Sequence, residues 1–389
     1  MTLLIHGARL ITGAGDGVVR ESPRGWVHIV DGVVREVGEG DAPRAAPVDA
    51  DVVDAEALVG RGSLLTAGLV DIHNHGGGGA AFDNPDAAAA VDRIMGVHAR
   101  HGVTRLVASL VSAAPSALER TMRALRVAAD DRPGLLGIHL EGPCLDVDHR
   151  GAHAPWALRD PSSVDVERLT SAGHLVQVTI APELPRALEL IRELARAGVR
   201  VAVGHTGADA AVTREAIAAG ATLLTHAFNA MPPLHHRAPG PVGVALADEA
   251  VTLELIADGT HVDPSLFAPL FRAAPGRIAL VSDAMAAAGS PDGEYRLGDL
   301  AVTVSAGIAR LRDTDTIAGS TLTLDRAVRT VVAAGVPLAA AVAAATCVPA
   351  RAVGRTDLGR LQPGCRGDVV LWNAELEPTA VWRDGIRIA

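Results

Sequence analysis

Short apolar runs rich in β-branched residues alternate with longer alanine- and leucine-rich segments along most of this chain. From residue 61 to about residue 354, the short runs have the length of buried strands, and the longer segments have the apolar spacing of amphipathic helices. The eight predicted strands are Leu64–Ile72, Thr104–Leu110, Leu135–Leu140, Leu175–Ile180, Arg200–Val203, Thr222–Thr225, Thr252–Ile256 and Ile278–Val281. The predicted helices between them include Pro85–Arg100, Ser116–Ala129, Leu184–Ala197, Ala208–Ala219 and Pro264–Arg272. This α/β alternation indicates a parallel sheet, and eight strands are the number that closes a TIM-type (β/α)8 barrel.

The two ends of the chain have a different pattern. Before residue 60, short alternating strands are separated by Gly and Asp turns without a helix pattern, and the stretch from Gly367 to Ala389 is similar. We therefore expect a small β-sandwich domain formed from both termini, residues 1–60 and 355–389, beside a catalytic barrel of residues 61–354. Within the barrel, the segment Glu294–Leu311 predicts a hairpin inserted after the eighth strand.

One uncharged stretch, residues 330–350, is long enough to raise the question of a membrane span. Gly335 and Pro337 interrupt it, which favours two helices joined by a Gly-Val-Pro turn. The N-terminus has no basic region before an apolar segment, so a signal peptide is not predicted. The three cysteines are too scattered for a disulfide framework. We therefore expect a cytoplasmic protein.

The charge composition narrows the range of partners and of chemistry. The formal net charge is −10 without a block of like charges, which argues against nucleic acid or an anionic membrane as the main partner. The chain contains no lysine, so all 35 basic residues are arginine. This excludes a Schiff-base lysine, and it also excludes a carbamylated lysine as the bridge between two metal ions.

Polar side chains collect where the predicted strands end. In a (β/α)8 barrel the chemistry takes place at the carboxyl ends of the strands. His73 and His75, two positions apart, point to the same side of the first strand because side chains alternate along a strand. The other polar residues at strand ends are Glu141, His205, His226 and Asp283.

This set of imidazole and carboxylate groups predicts a site for one or two divalent metal ions. Each residue alone has an ordinary explanation, because a polar residue after a strand often caps the next helix. Together they form a ligand set suited to Zn²⁺ or Fe²⁺. Since the chain has no lysine, a carboxylate must bridge two ions, and Glu141 is the candidate.

Three features near these positions have two interpretations each. Asp283 is either a general base and acid or the N-cap of the next helix, and its position at the end of the eighth strand favours catalysis. Cys144 either approaches the metal as a thiolate or packs as a small buried residue, which is the more common role. The four glycines after His75 either let the backbone pass close to the ions or form a flexible loop.

Motifs in the same order along the chain carry a resemblance to a known family. They read DIHNHGGGG, HLEGP, RGAH, VGHTGA, THAFNAMPPLHHRAPG, IADGTHVD, VSDAM and TIAGSTLTLD, and they span about residues 60–350. This pattern resembles the N-acetylglucosamine-6-phosphate deacetylases of the amidohydrolase superfamily. The resemblance implies hydrolysis of the acetamide of N-acetyl-D-glucosamine 6-phosphate, in amino-sugar catabolism and cell-wall recycling.

The resemblance also implies roles for individual residues. Glu141, His205 and His226 match the metal ligands found throughout the family, and His73 and His75, with Asp283 assisting, match a second metal position present in some members. Asp283 further matches the catalytic acid and base, and Arg237 matches an arginine that reaches the substrate phosphate from the neighbouring subunit of a homodimer. The remaining matches are substrate contacts: His153, Asn229, Ala230, His261, Ala318, Gly319 and Ser320.

Two other functions remain open at this point. One is a neighbouring amidohydrolase activity, such as N-acyl amino acid deacylation or cyclic amide hydrolysis, which would not need an arginine for a phosphate. The other is a sugar-phosphate sensor without turnover, which the presence of Asp283 and a full ligand set disfavours. The resemblance leaves the identity and the number of the metal ions undetermined.

Overall fold

Two large sheets and a ring of helices organise the protein in the computed structural model, which describes residues 1–13, 19–42, 50–83 and 87–389. The strands are β1 (Thr2–Gly13), β2 (Val19–Val30), β3 (Val33–Glu39), β4 (Ala50–Asp54), β5 (Leu64–Ala67), β6 (Leu69–Asn74), β7 (Gly76–Gly77), β8 (Ala80–Ala81), β9 (Val103–Leu110), β10 (Leu135–Glu141), β11 (Leu175–Ile180), β12 (Arg200–Val203), β13 (Ala221–Leu224), β14 (Thr252–Leu255), β15 (Ile278–Leu280), β16 (Gly293–Leu297), β17 (Leu300–Ser305), β18 (Ile308–Leu311), β19 (Val369–Trp372), β20 (Pro378–Arg383) and β21 (Ile386–Arg387). The α-helices are α1 (Ala55–Val59), α2 (Ala87–Arg100), α3 (Pro115–Asp130), α4 (Val166–Ala172), α5 (Ala187–Arg196), α6 (Ala210–Ala219), α7 (Gly240–Ala247), α8 (Phe267–Ala273), α9 (Leu324–Ala333), α10 (Leu338–Ala345) and α11 (Cys347–Ala352).

Eight parallel strands form the barrel in the order β6-β9-β10-β11-β12-β13-β14-β15. A bridge between Asn74 and Ala284 brings the end of β6 beside the segment that follows β15, so the sheet is nearly closed. Apolar residues of the strands and of the surrounding helices form one large core. The prediction of a TIM-type barrel is therefore confirmed.

The first predicted strand, Leu64–Ile72, is wrong as a single strand. Its first part is β5, which pairs with β1 and β19 of the terminal sheet, and its second part is β6 of the barrel. The chain changes sheet at Gly68, where an added Cβ atom would lie 2.2 Å from Oγ1 of Thr104. Both parts are buried, so the hydrophobic pattern does not reveal the change of sheet.

Strands from both ends of the chain make the second sheet. Its order is β21-β20-β19-β5-β1-β2-β3, and β4 pairs with β1. Side chains from β1, β2, β3, β5, β19 and β20 share one apolar core. This agrees with the predicted small domain from both termini. The expected absence of helix there is wrong, because Ala55–Val59 is helical and the Asp54 side chain caps it by accepting a hydrogen bond from Ala57 N.

Further elements follow β15. The predicted hairpin over Glu294–Leu311 is an antiparallel sheet of three strands, β16-β17-β18, with its own small apolar cluster. The uncharged stretch forms parts of α9 and α10 on either side of Gly335 and Pro337, and it continues into α11, as expected for separate helices. Among the described residues, no helix is long and apolar enough to cross a membrane. The predicted start of the first barrel helix at Pro85 lies outside the described residues.

Candidate metal centre and cleft

The predicted ligands meet at the carboxyl ends of the barrel strands. His73 is the last but one residue of β6, and Glu141 is the last residue of β10. The others follow the ends of β6, β12, β13 and β15 within one to three residues: His75, His205, His226 and Asp283. All six residues are buried.

Glu141 lies between two pairs of histidines. Its Oε1 is 3.0 Å from Nε2 of His205 and 3.1 Å from Nε2 of His226. Its Oε2 is 3.2 Å from Nε2 of His75, while Nε2 of His73 is 3.5 Å from Oε1. Two groups with the proximity expected of metal ligands result, His73/His75/Glu141 and Glu141/His205/His226, and they share the carboxylate.

The hydrogen bonds at the far side of the rings show why a cation fits this arrangement. Nδ1 of His75 lies 3.1 Å from the Ser109 carbonyl oxygen, and Nδ1 of His205 lies 2.9 Å from the His149 carbonyl oxygen. A carbonyl only accepts, so each ring has its proton on Nδ1, and the Nε2 of a neutral ring is then a lone pair. Lone pairs that face carboxylate oxygens at about 3 Å require positive charge between them.

The pKa values also indicate that this arrangement needs positive charge. Burial lowers the pKa of His75, but the carboxylates of Asp283 and Glu141 outweigh it and raise this pKa to about 9. Burial likewise opposes protonation of His73, yet Asp283 and Glu141 raise its pKa well above the usual range. For Glu141, burial raises the pKa, and the histidines, His73 first, bring it well below its usual range. In the ion-free protein, protons on these rings supply the positive charge that a metal ion would bring.

Three of the six predicted metal-site residues have left-handed backbone conformations. The φ angles are 49° for His205, 26° for His226 and 48° for Asp283. This conformation is costly for residues other than glycine, and it persists only where the surrounding structure enforces it. Such clustering at the ends of three strands is typical of a functional site.

Asp283 is held by backbone hydrogen bonds on both sides. Its N–H donates to the His73 carbonyl at 2.9 Å, and its carbonyl accepts from the Ser320 N–H at 2.7 Å. Its Oδ1 lies 3.3 Å from Nε2 of His75 and 3.5 Å from Nε2 of His73. These distances place its carboxylate against the two histidines, and among the described residues no backbone N–H donates to it, as one would if Asp283 were an N-cap.

The glycines after His75 allow a close approach of two segments. The N–H groups of His75 and Gly76 both donate to the Ala284 carbonyl. A Cβ atom on Gly76 would lie 2.3 Å from the Ala80 carbonyl oxygen, and one on Gly77 would lie 2.8 Å from Nε2 of His98. Of the two interpretations, close backbone packing describes these two positions.

An open cleft of about 520 Å³ leads from solvent to the metal centre. Among the predicted substrate contacts, those that line it are His153, Asn229, Ala230, His261 and Gly319. Ala318 and Ser320 do not line it. Ala318 packs in the apolar cluster of the three-stranded sheet, and the Ser320 hydroxyl donates to the Ser282 carbonyl.

Two further predicted features lie away from the ligands. Arg237 is exposed on the loop between β13 and α7 and does not line the cleft of its own chain. Cys144 is buried within the main apolar core, and burial raises the pKa of its thiol to about 12. Its packing is that of a small buried residue rather than a thiolate ligand.

Several residues that contact the site were not identified from sequence. Glu254, the third residue of β14, lies against His73, and Gln177 of β11 lies against Glu254. His149 lines the cleft, and Asp258 accepts a hydrogen bond from His261 Nδ1 at 2.7 Å. The sequence signal that could have identified Glu254 and Gln177 is a charged or amide side chain inside an otherwise apolar strand.

Comparison with known proteins gives consistent matches over nearly the whole chain. Residues 64–387 match the amidohydrolase family. The chain is 35% identical to an N-acetylgalactosamine-6-phosphate deacetylase of Escherichia coli O157:H7, with 99% of both chains covered. It is 36% identical to an N-acetylglucosamine-6-phosphate deacetylase of Danio rerio, over 79% of this chain and 80% of the relative.

A solved structure is also similar over its full length. It is a mutant of the N-acetyl-D-glucosamine-6-phosphate deacetylase of Mycobacterium smegmatis in complex with N-acetyl-D-glucosamine 6-phosphate. The TM-score is 0.90 at 40% sequence identity, and the match covers 100% of this chain and 99% of the other. The similarity therefore includes the terminal domain as well as the barrel.

Proposed function

Since the chain belongs to the amidohydrolase family, we propose that it hydrolyses the acetamide of N-acetyl-D-glucosamine 6-phosphate to D-glucosamine 6-phosphate and acetate. The observation that carries the proposal is the arrangement of four histidines around Glu141, with Asp283 beside them at the floor of an open cleft. Relatives named as amino-sugar-phosphate deacetylases support this class of substrate. The products would serve amino-sugar catabolism and cell-wall recycling.

Zn²⁺ or Fe²⁺ is the cofactor that the donor atoms favour. Glu141, His205 and His226 would hold one ion, and His73 and His75 would hold a second, sharing Glu141 and assisted by Asp283. Such an ion, when bound, lowers the pKa of water to about 7 and polarises a carbonyl oxygen.

Asp283 is the residue that we assign to proton transfer. Burial raises the pKa of this carboxyl group, but His73 and His75 lower it below the usual value, so the carboxylate is ionised at neutral pH. It accepts a proton as the water oxygen attacks the acetyl carbon, and it then donates that proton to the nitrogen as the C–N bond breaks. The water oxygen leaves in the acetate, one proton of the water leaves on the amine nitrogen, and the other is released to solvent when the acetic acid ionises.

Substrate binding falls to the residues along the cleft. We assign Asn229 and Ala230 to the phosphate, and His153 and His261 to the acetyl group and the sugar; all four line the cleft. Binding energy from the distant phosphate would orient the acetamide against its nucleophile. Among the described residues that line the cleft there is no arginine.

This lack of a strong cation supports a homodimer in which Arg237 of one chain reaches the phosphate site of the other. A phosphate dianion in a protein of net charge −10 needs a local positive charge. Arg237 is exposed in the same loop as Leu234, a residue that is 49% exposed, and it is close in sequence to the cleft residues Asn229 and Ala230. A neighbouring subunit would cover this loop, and its phosphate site would then contact Arg237.

The protein is proposed to act in the cytoplasm. All three cysteines are free and buried, as expected for a reducing compartment.

Acetate release from a panel of substrates tests the function. The panel contains the 6-phosphates of N-acetylglucosamine, N-acetylgalactosamine and N-acetylmannosamine, unphosphorylated N-acetylglucosamine and an N-acetyl amino acid. We expect the highest kcat/KM on N-acetylglucosamine 6-phosphate and little turnover without the phosphate. Faster turnover of the N-acetyl amino acid would assign a different amidohydrolase activity, and binding of the sugar phosphate without any acetate release by metal-loaded protein would indicate a sensor.

A further inference from the structure

Glu254 is a carboxylate buried in the interior of the barrel behind the metal centre. Its side chain is 0% exposed. One oxygen, Oε2, lies 2.9 Å from Nδ1 of His73 and 3.4 Å from the backbone N of His226. The other, Oε1, accepts a hydrogen bond from the side-chain amide of Gln177 at 2.6 Å. Both oxygens therefore have a partner, and the carboxylate has one orientation.

No arginine contacts this carboxylate in the described part of the chain. A barrel interior is normally filled with branched apolar side chains, and a buried charge without a counter-charge is strongly destabilising. Glu254 contacts Nδ1 of His73. When Nε2 of the same ring binds a cation or a proton, the positive charge lies next to Glu254. Glu254 therefore favours a positive charge at Nε2 of His73.

The four histidines of the centre differ in the group that Nδ1, the ring nitrogen away from Glu141, contacts. Nδ1 of His75 and Nδ1 of His205 each donate to a backbone carbonyl oxygen, which carries only a partial charge. Nδ1 of His226 has no hydrogen-bond partner within the described residues. Of the four, His73 alone has its Nδ1 hydrogen-bonded to a carboxylate.

We propose that Glu254 is a positioning residue for the ion bound by His73 and His75, and that Gln177 orients it. The carboxylate keeps the ring proton of His73 on Nδ1, so that the Nε2 lone pair points at the ion. It also places a negative charge behind the ring. At the position formed by Glu141, His205 and His226, Glu254 reaches only the backbone N–H of His226 and no ring nitrogen, so we expect its effect on metal affinity at the position of His73.

This inference rests on the metal centre of the proposed function, and its test uses no substrate. Glu254→Gln keeps the size of the side chain and removes its charge. Asp325→Asn is the matched control, because Asp325 is another buried carboxylate with Oδ1 3.2 Å from a histidine Nδ1, that of His101. His73→Ala marks the complete loss of the same ion position.

The measurement is the number of Zn²⁺ ions per chain and their dissociation constants, by elemental analysis and by competition with a chelator of known affinity. We expect Glu254→Gln to weaken one ion about 10- to 100-fold, as is usual for the outer partner of a ligand histidine, and to leave any other ion unchanged. Asp325→Asn should bind zinc as the parent does. Melting temperatures of the metal-free proteins are compared between Glu254→Gln and Asp325→Asn: each variant loses a buried charge, and only Glu254→Gln should also lose affinity for the ion, which separates metal positioning from general stability.

Equal zinc content and affinity in Glu254→Gln and the parent would overturn the proposal, as would weakening of the ion that His73→Ala retains. If Glu254→Gln fails to fold, Gln177→Met provides the second test. That variant keeps the carboxylate and removes its orienting donor, so it should weaken the same ion by a smaller factor, and parental affinity there would also overturn the proposal. If Glu254→Gln loses zinc as expected but the parent protein hydrolyses no sugar phosphate, the proposed function is refuted and this inference is not.

Discussion

Glu141 and His205 lie 64 positions apart in the chain, yet Oε1 of the glutamate is 3.0 Å from Nε2 of the histidine. His226, 21 positions after His205, brings its Nε2 within 3.1 Å of the same oxygen. Glu141 ends β10, and His205 and His226 follow β12 and β13; these strands are held at fixed spacing by the strands between and beside them. The barrel therefore supplies the geometry, and the loops supply only the last few residues.

Replacement of Asp283 separates proton transfer from metal binding. We expect Asp283→Asn to lower kcat by about 10² to 10⁴, the usual contribution of general acid and base catalysis, because an amide cannot carry the proton. Since Glu141 and the four histidines remain, metal content should change little. Steady-state kinetics and elemental analysis check this, with the exposed Asp292→Asn as the control. Turnover near the parental value would remove Asp283 from the mechanism.

Replacement of Arg237 tests the contact across the subunit interface. We expect Arg237→Ala to raise KM for the sugar phosphate and to have little effect on unphosphorylated N-acetylglucosamine, because only the phosphate loses a partner. The exposed Arg326→Ala should behave as the parent. An equal effect on both substrates would contradict a role at the phosphate.

Mixing two variants shows which chain supplies the arginine. Co-expression of Asp283→Asn and Arg237→Ala chains should recover activity, because a mixed dimer has one site with Asp283 from one chain and Arg237 from the other. Each variant alone provides the baseline, and light scattering reports the mass of the assembly. Activity no higher than this baseline, or a monomeric mass, would place Arg237 outside the neighbouring site.

The pair Asp258 and His261 predicts a pH dependence of substrate binding. Burial lowers the pKa of His261, but the hydrogen bond to Asp258 outweighs it and raises this pKa, so the imidazolium persists to higher pH. Asp258→Asn removes the charge that stabilises the imidazolium, so the protonated form is lost at lower pH. We expect KM for the sugar phosphate to rise at lower pH in Asp258→Asn than in the parent. A pH profile of kcat/KM checks this, and superimposable profiles would contradict it.

The glycine after His75 predicts a stability difference between two substitutions. A Cβ atom on Gly76 would overlap the Ala80 carbonyl, so Gly76→Ala should destabilise the protein by about 1–3 kcal/mol, the usual range for overpacking. Gly96 in the middle of α2 has open space around it, so Gly96→Ala should stabilise by up to about 1 kcal/mol. Denaturant unfolding measures both, and equal effects would contradict the close packing at Gly76.

Local sequence patterns were sufficient for the barrel and for the side on which each ligand stands. Strand length, apolar content and turns follow from the residues of each segment, and the two-residue period of a strand places His73 and His75 on one face. Their Nε2 atoms are indeed 3.2 Å apart. The carboxyl ends of parallel strands share one rim, so the chain order of the other ligands was enough to expect them there.

Other features depended on contacts between distant segments. The run Leu64–Ile72 is uniformly apolar because both of its parts are buried, so only strand pairing shows that it belongs to two sheets. The position of the proton on His75 and His205 depends on which oxygen each Nδ1 meets, and these oxygens belong to Ser109 and His149. Glu254 had no local motif, since its role arises from a contact with His73, 181 positions away. Local patterns determine which elements form and which way they face, whereas the partner of a buried polar atom is chosen by packing across the whole chain.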